Sequence, residues 1–255
     1  MNSPESLPPP PPPKLSESAS GMLALVPQIV AAVVSLSVLG YFIGWGKASA
    51  YYEFLGAPWA ISMLPPFALL QQSASIIFMM VTFGFFALIS DIPVNGLALI
   101  SGGILIIACA LLFVPIGLLP AGMAGMAYAA ASVGGHLIGV AASLAMVELM
   151  GRLKLANWSF KKTHSYLIYI AVVFGLIWAP RQLGRVLAEY DLTPTALPAV
   201  ELPGSPPDVK WRLVHIADGR ALLISPAKER QNSAFRVIEA KDLSSIATVP
   251  SPSLK

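Results

Sequence analysis

YYEFLGAPWAISMLPP, Tyr51 to Pro66, decides how this chain of 255 residues is divided. It is apolar enough to enter a bilayer, yet Gly56, Pro58, Pro65 and Pro66 cut it into pieces too short to cross one. Tyr51, Tyr52, Phe54 and Trp59 carry the rings favoured at headgroup level, which makes them candidate interface anchors. Gly56 and Pro58 turn the chain, and Pro65-Pro66 supply a φ-fixed helix start. The stretch is expected to be an interfacial elbow bracing the spans on either side. A binding surface for lipid or for the chain's own C-terminal module, and a re-entrant pore element, are the alternatives.

Upstream, Met22 to Gly46 is 25 residues without a charge, and about 20 suffice for a helix across the hydrocarbon core. The KASA that follows resembles a signal-peptidase site. The apolar run is too long for a signal peptide and no basic cluster precedes it, so it reads as a span that is kept. Before it, residues 1–20 include the proline run Pro8 to Pro13, which favours extended polyproline II and has no apolar face to bury. That segment reads as a disordered cytoplasmic lead, or as a docking peptide for a proline-recognising partner.

Downstream, further spans are expected at about 67–90, 96–119, 122–150 and 166–187, within a helical domain of residues 21–188. Pro115 should kink the third, and Leu119-Pro120-Ala121-Gly122 should break the chain before the fourth. Composition agrees: 56% of residues are apolar, 11% are charged and the mean hydropathy is +0.71. Soluble domains carry about 25% charged residues, so this reads as an integral membrane protein whose first partner is the lipid bilayer. Residues 1–188 hold 8 Lys/Arg and 5 Asp/Glu, whereas the last 67 hold 8 of each. The surplus behind the pI near 9.0 therefore sits in the membrane part, which argues against a nucleic-acid partner.

The loop GRLKLANWSFKKTH, 151–164, carries Arg152, Lys154, Lys161 and Lys162 and no acid, the pattern of a cytoplasmic loop. With five spans, the N-terminus is then cytoplasmic and the C-terminal module extracytoplasmic, in what reads as a bacterial inner membrane.

Residues 189–208 read as a proline-rich, extended linker. A small β domain follows at 209–250 and a disordered tail at 251–255. Strands are expected near Trp211, at Arg220 to Ser225, at Ala234 to Glu239 and at Ser245 to Val249, with Asp218-Gly219 as a hairpin turn. Alternation places Trp211, Leu213 and His215 on one face and Arg212 and Val214 on the other. About 45 residues bury little core alone, so the module should lean on the membrane part or on a second copy.

In the fourth span Ala127, Ala131, Gly135, Gly139 and Ser143 recur every four residues, and the first has the pair Gly40 and Gly44. Small residues let helix backbones approach in lipid, so these are candidate packing faces within the chain or between copies. His136 and Glu148 are candidate intramembrane polar groups, costly at that depth and often on ion paths. Twelve residues apart, they lie about 120° apart around a helix, and Glu148 has a helical partner in Arg152. Gln71, Gln72, Ser73 and Ser75 open the second span with polar groups that can bridge helices or, as the alternative, line a path, although no repeating polar stripe extends through the span. Arg181 and Arg185, one turn apart, are candidate anchors for the interface or for lipid phosphates.

No catalytic or cofactor motif appears. There is no GxSxG, P-loop or HExxH, His136, His164 and His215 are scattered, and the single Cys109 sits in an apolar run. No cofactor, metal or enzymatic activity is expected. The fold class expected is a mainly α-helical polytopic membrane protein of about five transmembrane helices with a small C-terminal antiparallel β module. Its expected role is non-enzymatic, as a sensor, anchor or assembly subunit in a homo-oligomer or a larger membrane complex. The alternative is a small transporter or channel with a polar path near His136 and Gln71/Gln72.

Overall fold

A computed structural model of the chain describes residues 15–90, 92–112, 123–157, 168–193, 196–202, 205, 209–226, 233–243 and 245–247. The proline run, Pro115, the break at 119–122, Lys161, Lys162, His164 and the tail 251–255 lie outside the described residues. Two compact units are present, Met1–Val38 and Leu39–Lys255. The described part of the first is helical and belongs to α1 (Leu15–Leu55), with the apolar side chains from Val26 to Val38 exposed.

The second unit contains the rest of the chain. Uncharged runs in lipid must satisfy their backbone groups internally, which selects helices. α1 continues to Leu55, nine residues beyond the end expected from the apolar run. Nothing from Lys47 to Leu55 breaks a helix, and the stop comes at Gly56, whose φ of +88° a residue with a Cβ would adopt only at a cost. There Gly56 N–H donates to the Glu53 carbonyl and Ala57 N–H to the Tyr52 carbonyl, the Schellman pattern. A 3-10 helix, Pro58–Met63, forms the elbow, and α2 (Pro66–Ile89) begins behind Pro65. α3 (Val94–Leu112) and α4 (Ala124–Leu155) follow.

Among the described residues, four helical segments are long and apolar enough to cross a membrane: Val26–Leu55, Pro66–Ile89, Val94–Leu112 and Gly125–Leu155. The last is the central post: 61% of its most apolar window is buried, against 11 to 17% for the others. It packs on α2, on α3 and on the fifth helical region. That region is a π-helical stretch, Ile170–Trp178, leading into α5 (Ala179–Asp191). α5 is amphipathic: Leu183, Gly184, Val186 and Ala188 are buried, and Arg181 and Arg185 are exposed. The described part of the fifth expected span thus turns polar at Arg181.

The C-terminal module is one antiparallel sheet in the order β4-β3-β2-β1-β5. Its strands are β1 (Ala199–Glu201), β2 (Trp211–Ala217), β3 (Arg220–Ser225), β4 (Ala234–Glu239) and β5 (Ser245–Ala247). Asp218 and Gly219, with φ of 47° and 73°, make the tight hairpin turn whose twist suits the flanking strands. Two features differ from the sequence reading. Part of the expected spacer is a strand: β1 pairs with both β2 and β5. A bulge also interrupts β2, since Leu213 pairs with Leu223 but His215 with Leu222. The extra residue resets the alternation, so His215 faces the side opposite Leu213 rather than sharing it.

Candidate functional site

The sheet is seated on the helix ends through one apolar core. Leu222 and Ile224 of β3 are almost fully buried, in a cluster with Ala48, Tyr51, Tyr52 and Leu55 of α1. Ala57, Ala60 and Leu64 of the elbow, Leu69 of α2, Ala188 of α5 and Leu197 complete it, and Val214 and Phe235 of the sheet pack against it. Period-2 geometry accounts for the contribution of β3: alternate residues 222 and 224 face the helices, while 221 and 223 face a second cluster with Val200 and Trp211. Tyr51 and Tyr52, expected at the headgroup level, are 8% and 4% exposed and meet edge to face at 5.0 Å inside this core. Phe54 is half-buried against it. Trp59 stays about half exposed and sets its ring edge-on to Phe235 of β4, 6.4 Å between centroids.

Polar ties ring the seat. The Tyr51 hydroxyl donates to Asp191 Oδ2 at 2.7 Å. Arg212 Nη1 donates to the Thr193 carbonyl at 2.8 Å, fastening β2 to the turn after α5. Burial pushes the Asp191 carboxyl above its ordinary pKa, and the Tyr51 hydrogen bond and the nearby Lys47 charge oppose that shift. Burial pushes His215 below its ordinary value. Beneath the seat α1 and α5 meet at backbone distance: a Cβ on Gly184 would overlap the Lys47 carbonyl oxygen.

The small residues lie at close helix contacts. A Cβ on Gly44 would overlap the Leu69 carbonyl, and one on Gly40 would stand 3.1 Å from Ser73 Oγ. On α4, Gly139 faces Ile76 and Met80 of α2, and Gly135 faces Leu183 of α5. Ser143 donates to the Met80 carbonyl at 2.7 Å, directly over Gly84. Ala127 and Ala131 are fully buried, Ala131 in a cluster with Ala108, Leu112 and Ala179.

His136 is bound on both nitrogens, Nδ1 to the Ser132 carbonyl at 2.7 Å and Nε2 to Ser75 Oγ at 2.9 Å. A carbonyl only accepts, so Nδ1 carries the hydrogen, and in the neutral ring Nε2 then accepts from the serine. The ring borders an open apolar groove of about 670 Å³ with Met79, Phe83 and Tyr128. Gln71 and Gln72 are not in its lining and have no hydrogen-bond partner among the described residues. Glu148 is 2% exposed; Oε1 accepts from Arg152 Nε at 2.7 Å, and Oε2 has no partner among the described residues. Arg181 pairs with Glu53 at 3.1 Å across the α1–α5 gap, and Arg185 lies on the same face. Among the described residues, no three His, Cys, Asp or Glu side chains are grouped to hold a metal ion.

Asp191, Ala57 and Ala60 belong to the seat, and β1 to the cluster on the other face of the sheet, without having been singled out from the sequence. No local pattern joins residues 51 and 191, and β1 hides among prolines. Comparison with protein-family models, with curated proteins and with solved structures finds no match to this chain.

Proposed function

We propose that this is a non-enzymatic integral membrane protein that holds a small β module in a fixed seat on its helix ends, as an anchor or assembly subunit. The supporting observation is the shared core: side chains of α1, the elbow, α5 and β3 fill one cluster, so the module is not hung on a free linker. A rigid mount suits a subunit that presents a surface at set height more than a freely swivelling sensor. Charge bias in the loops supports a cytoplasmic N-terminus and an extracytoplasmic module in a bacterial inner membrane. A homo-oligomer or a larger membrane complex is the proposed setting, with no cofactor.

Introducing Leu222→Asp with Ile224→Asp puts two charges into the seat. The expected result is protease-sensitive β strands in a chain that still inserts, together with loss of the native assembly mass measured in mild detergent. An unchanged assembly and cell phenotype after unseating, or after deletion of 209–247, would refute the role. The transporter reading draws on the groove beside His136; its check is flux in proteoliposomes, which His136→Ala should abolish.

A further inference from the structure

A second feature lies beside the seat, on the outer side of the α1–α5 contact. Trp178, Arg181, Gln182 and Arg185 repeat at i, i+3, i+4 and i+7 and so form one stripe leading into and along α5. Glu53 and Phe54 face them from α1 across a cleft of about 530 Å³. The cleft exists because Gly184, on the neighbouring face of α5, lets the two backbones touch at Lys47 while the longer side chains stand apart. Its charges do not balance: Glu53 pairs with Arg181, and Arg185 makes no ion pair or hydrogen bond with any described residue. One net positive charge and the donors of an amide and two guanidinium groups are thus directed at one space, with an aromatic ring on either wall.

We propose that this cleft binds a phosphate group, the anion whose geometry and charge match paired guanidinium donors. The cleft sits where the apolar π-helical stretch gives way to polar residues of α5, with exposed Ile177 just before it. That is the height at which a phospholipid would present its phosphodiester, its chains lying along the apolar helix surface below. A phosphodiester carries one negative charge, which offsets the single excess positive charge here.

The test uses the full-length protein in detergent micelles, with native mass measurement of adducts as phosphatidylglycerol, phosphatidylcholine or inorganic phosphate is added. Phosphatidylglycerol should bind in preference to phosphatidylcholine, and Arg185→Gln should weaken it about fivefold, the worth of one basic residue at a lipid surface. Arg181→Gln should weaken it more, because it also leaves Glu53 uncompensated. Glu53→Gln should tighten it, and Arg236→Gln on β4 should leave it unchanged. If millimolar inorganic phosphate displaces the lipid and shows the same dependence on Arg185, the ligand is the free ion; if the lipid stays bound, it is the headgroup. Affinity indifferent to Arg181, Arg185 and Glu53 together, or no preference over phosphatidylcholine, would overturn the assignment.

Discussion

The Tyr51 hydroxyl donates to Asp191 Oδ2 across 2.7 Å, joining two residues 140 positions apart in sequence. The bond crosses from the last turns of α1 to the last residue of α5, the two helices whose ends carry the sheet. Tyr51→Phe removes the donor and leaves a partly buried carboxylate under-satisfied, at a cost of about 1–3 kcal/mol. Denaturant titration in detergent should show that loss, with faster amide exchange in β3. Asp191→Asn, which keeps an acceptor oxygen, should cost less.

Close backbone contacts make a contrasting set of glycines. At Gly44 and Gly184 a methyl group would meet the backbone carbonyls of Leu69 and Lys47, which cannot swing aside as a side-chain tip can. Alanine at either should lower stability by about 1–3 kcal/mol, the usual cost of overpacking. At Gly102 and Gly125 a Cβ would meet nothing within 4 Å, so alanine there should be neutral or slightly stabilising. Monodispersity and melting temperature in detergent separate the two groups.

Ser143 and Gly84 form a pair across α2 and α4. Ser143→Ala gives up the hydrogen bond to the Met80 carbonyl, worth roughly 0.6 kcal/mol between membrane helices. Gly84→Ala alone brings a methyl group to 2.7 Å from Ser143 Oγ and should cost more. The double variant removes the clash with the hydroxyl, so its loss should be smaller than the sum of the singles. A double-mutant cycle measures the difference.

Two groups in the seat titrate in opposite senses. His215 has its folded pKa lowered by burial, so its contribution is full above its ordinary value of 6.5 and is lost as pH falls below that. Asp191 has its folded pKa raised, chiefly by burial, so the folded state holds the proton more tightly; its cost at neutral pH eases as pH falls through the folded pKa. Melting profiles from pH 7 to pH 5 should show a decline that His215→Gln flattens. Asp191→Asn should remove the opposing gain at lower pH.

How much of this could be read in advance depends on the range of the interactions. Hydropathy marks in advance the four long apolar helices found among the described residues, because each must satisfy its own backbone. Asp218-Gly219 fixes the hairpin, because few residue pairs adopt positive φ in succession. The bulge at Val214 escaped the alternating pattern, which carries no mark of one extra residue. β1 escaped because a three-residue strand beside prolines has no periodicity to detect. Tyr51 and Tyr52 read as headgroup anchors on residue type alone, and only the placement of β3 above them shows that another part of the chain covers them. The arginine stripe on α5 was legible as spacing, whereas its counterpart Glu53 needed the helix crossing at Gly184.

That crossing has a mechanical consequence. With Gly184 against the Lys47 backbone, α1 and α5 meet at a fulcrum on the edge of the core they share with β3, next to Ala48 and one turn before Ala188. A change in the angle between them would splay their upper ends and shear the sheet's footing, while a sideways shift of both together would carry the sheet along undistorted. Scissoring of the two helices would therefore load β3, whereas their common drift would leave it unloaded.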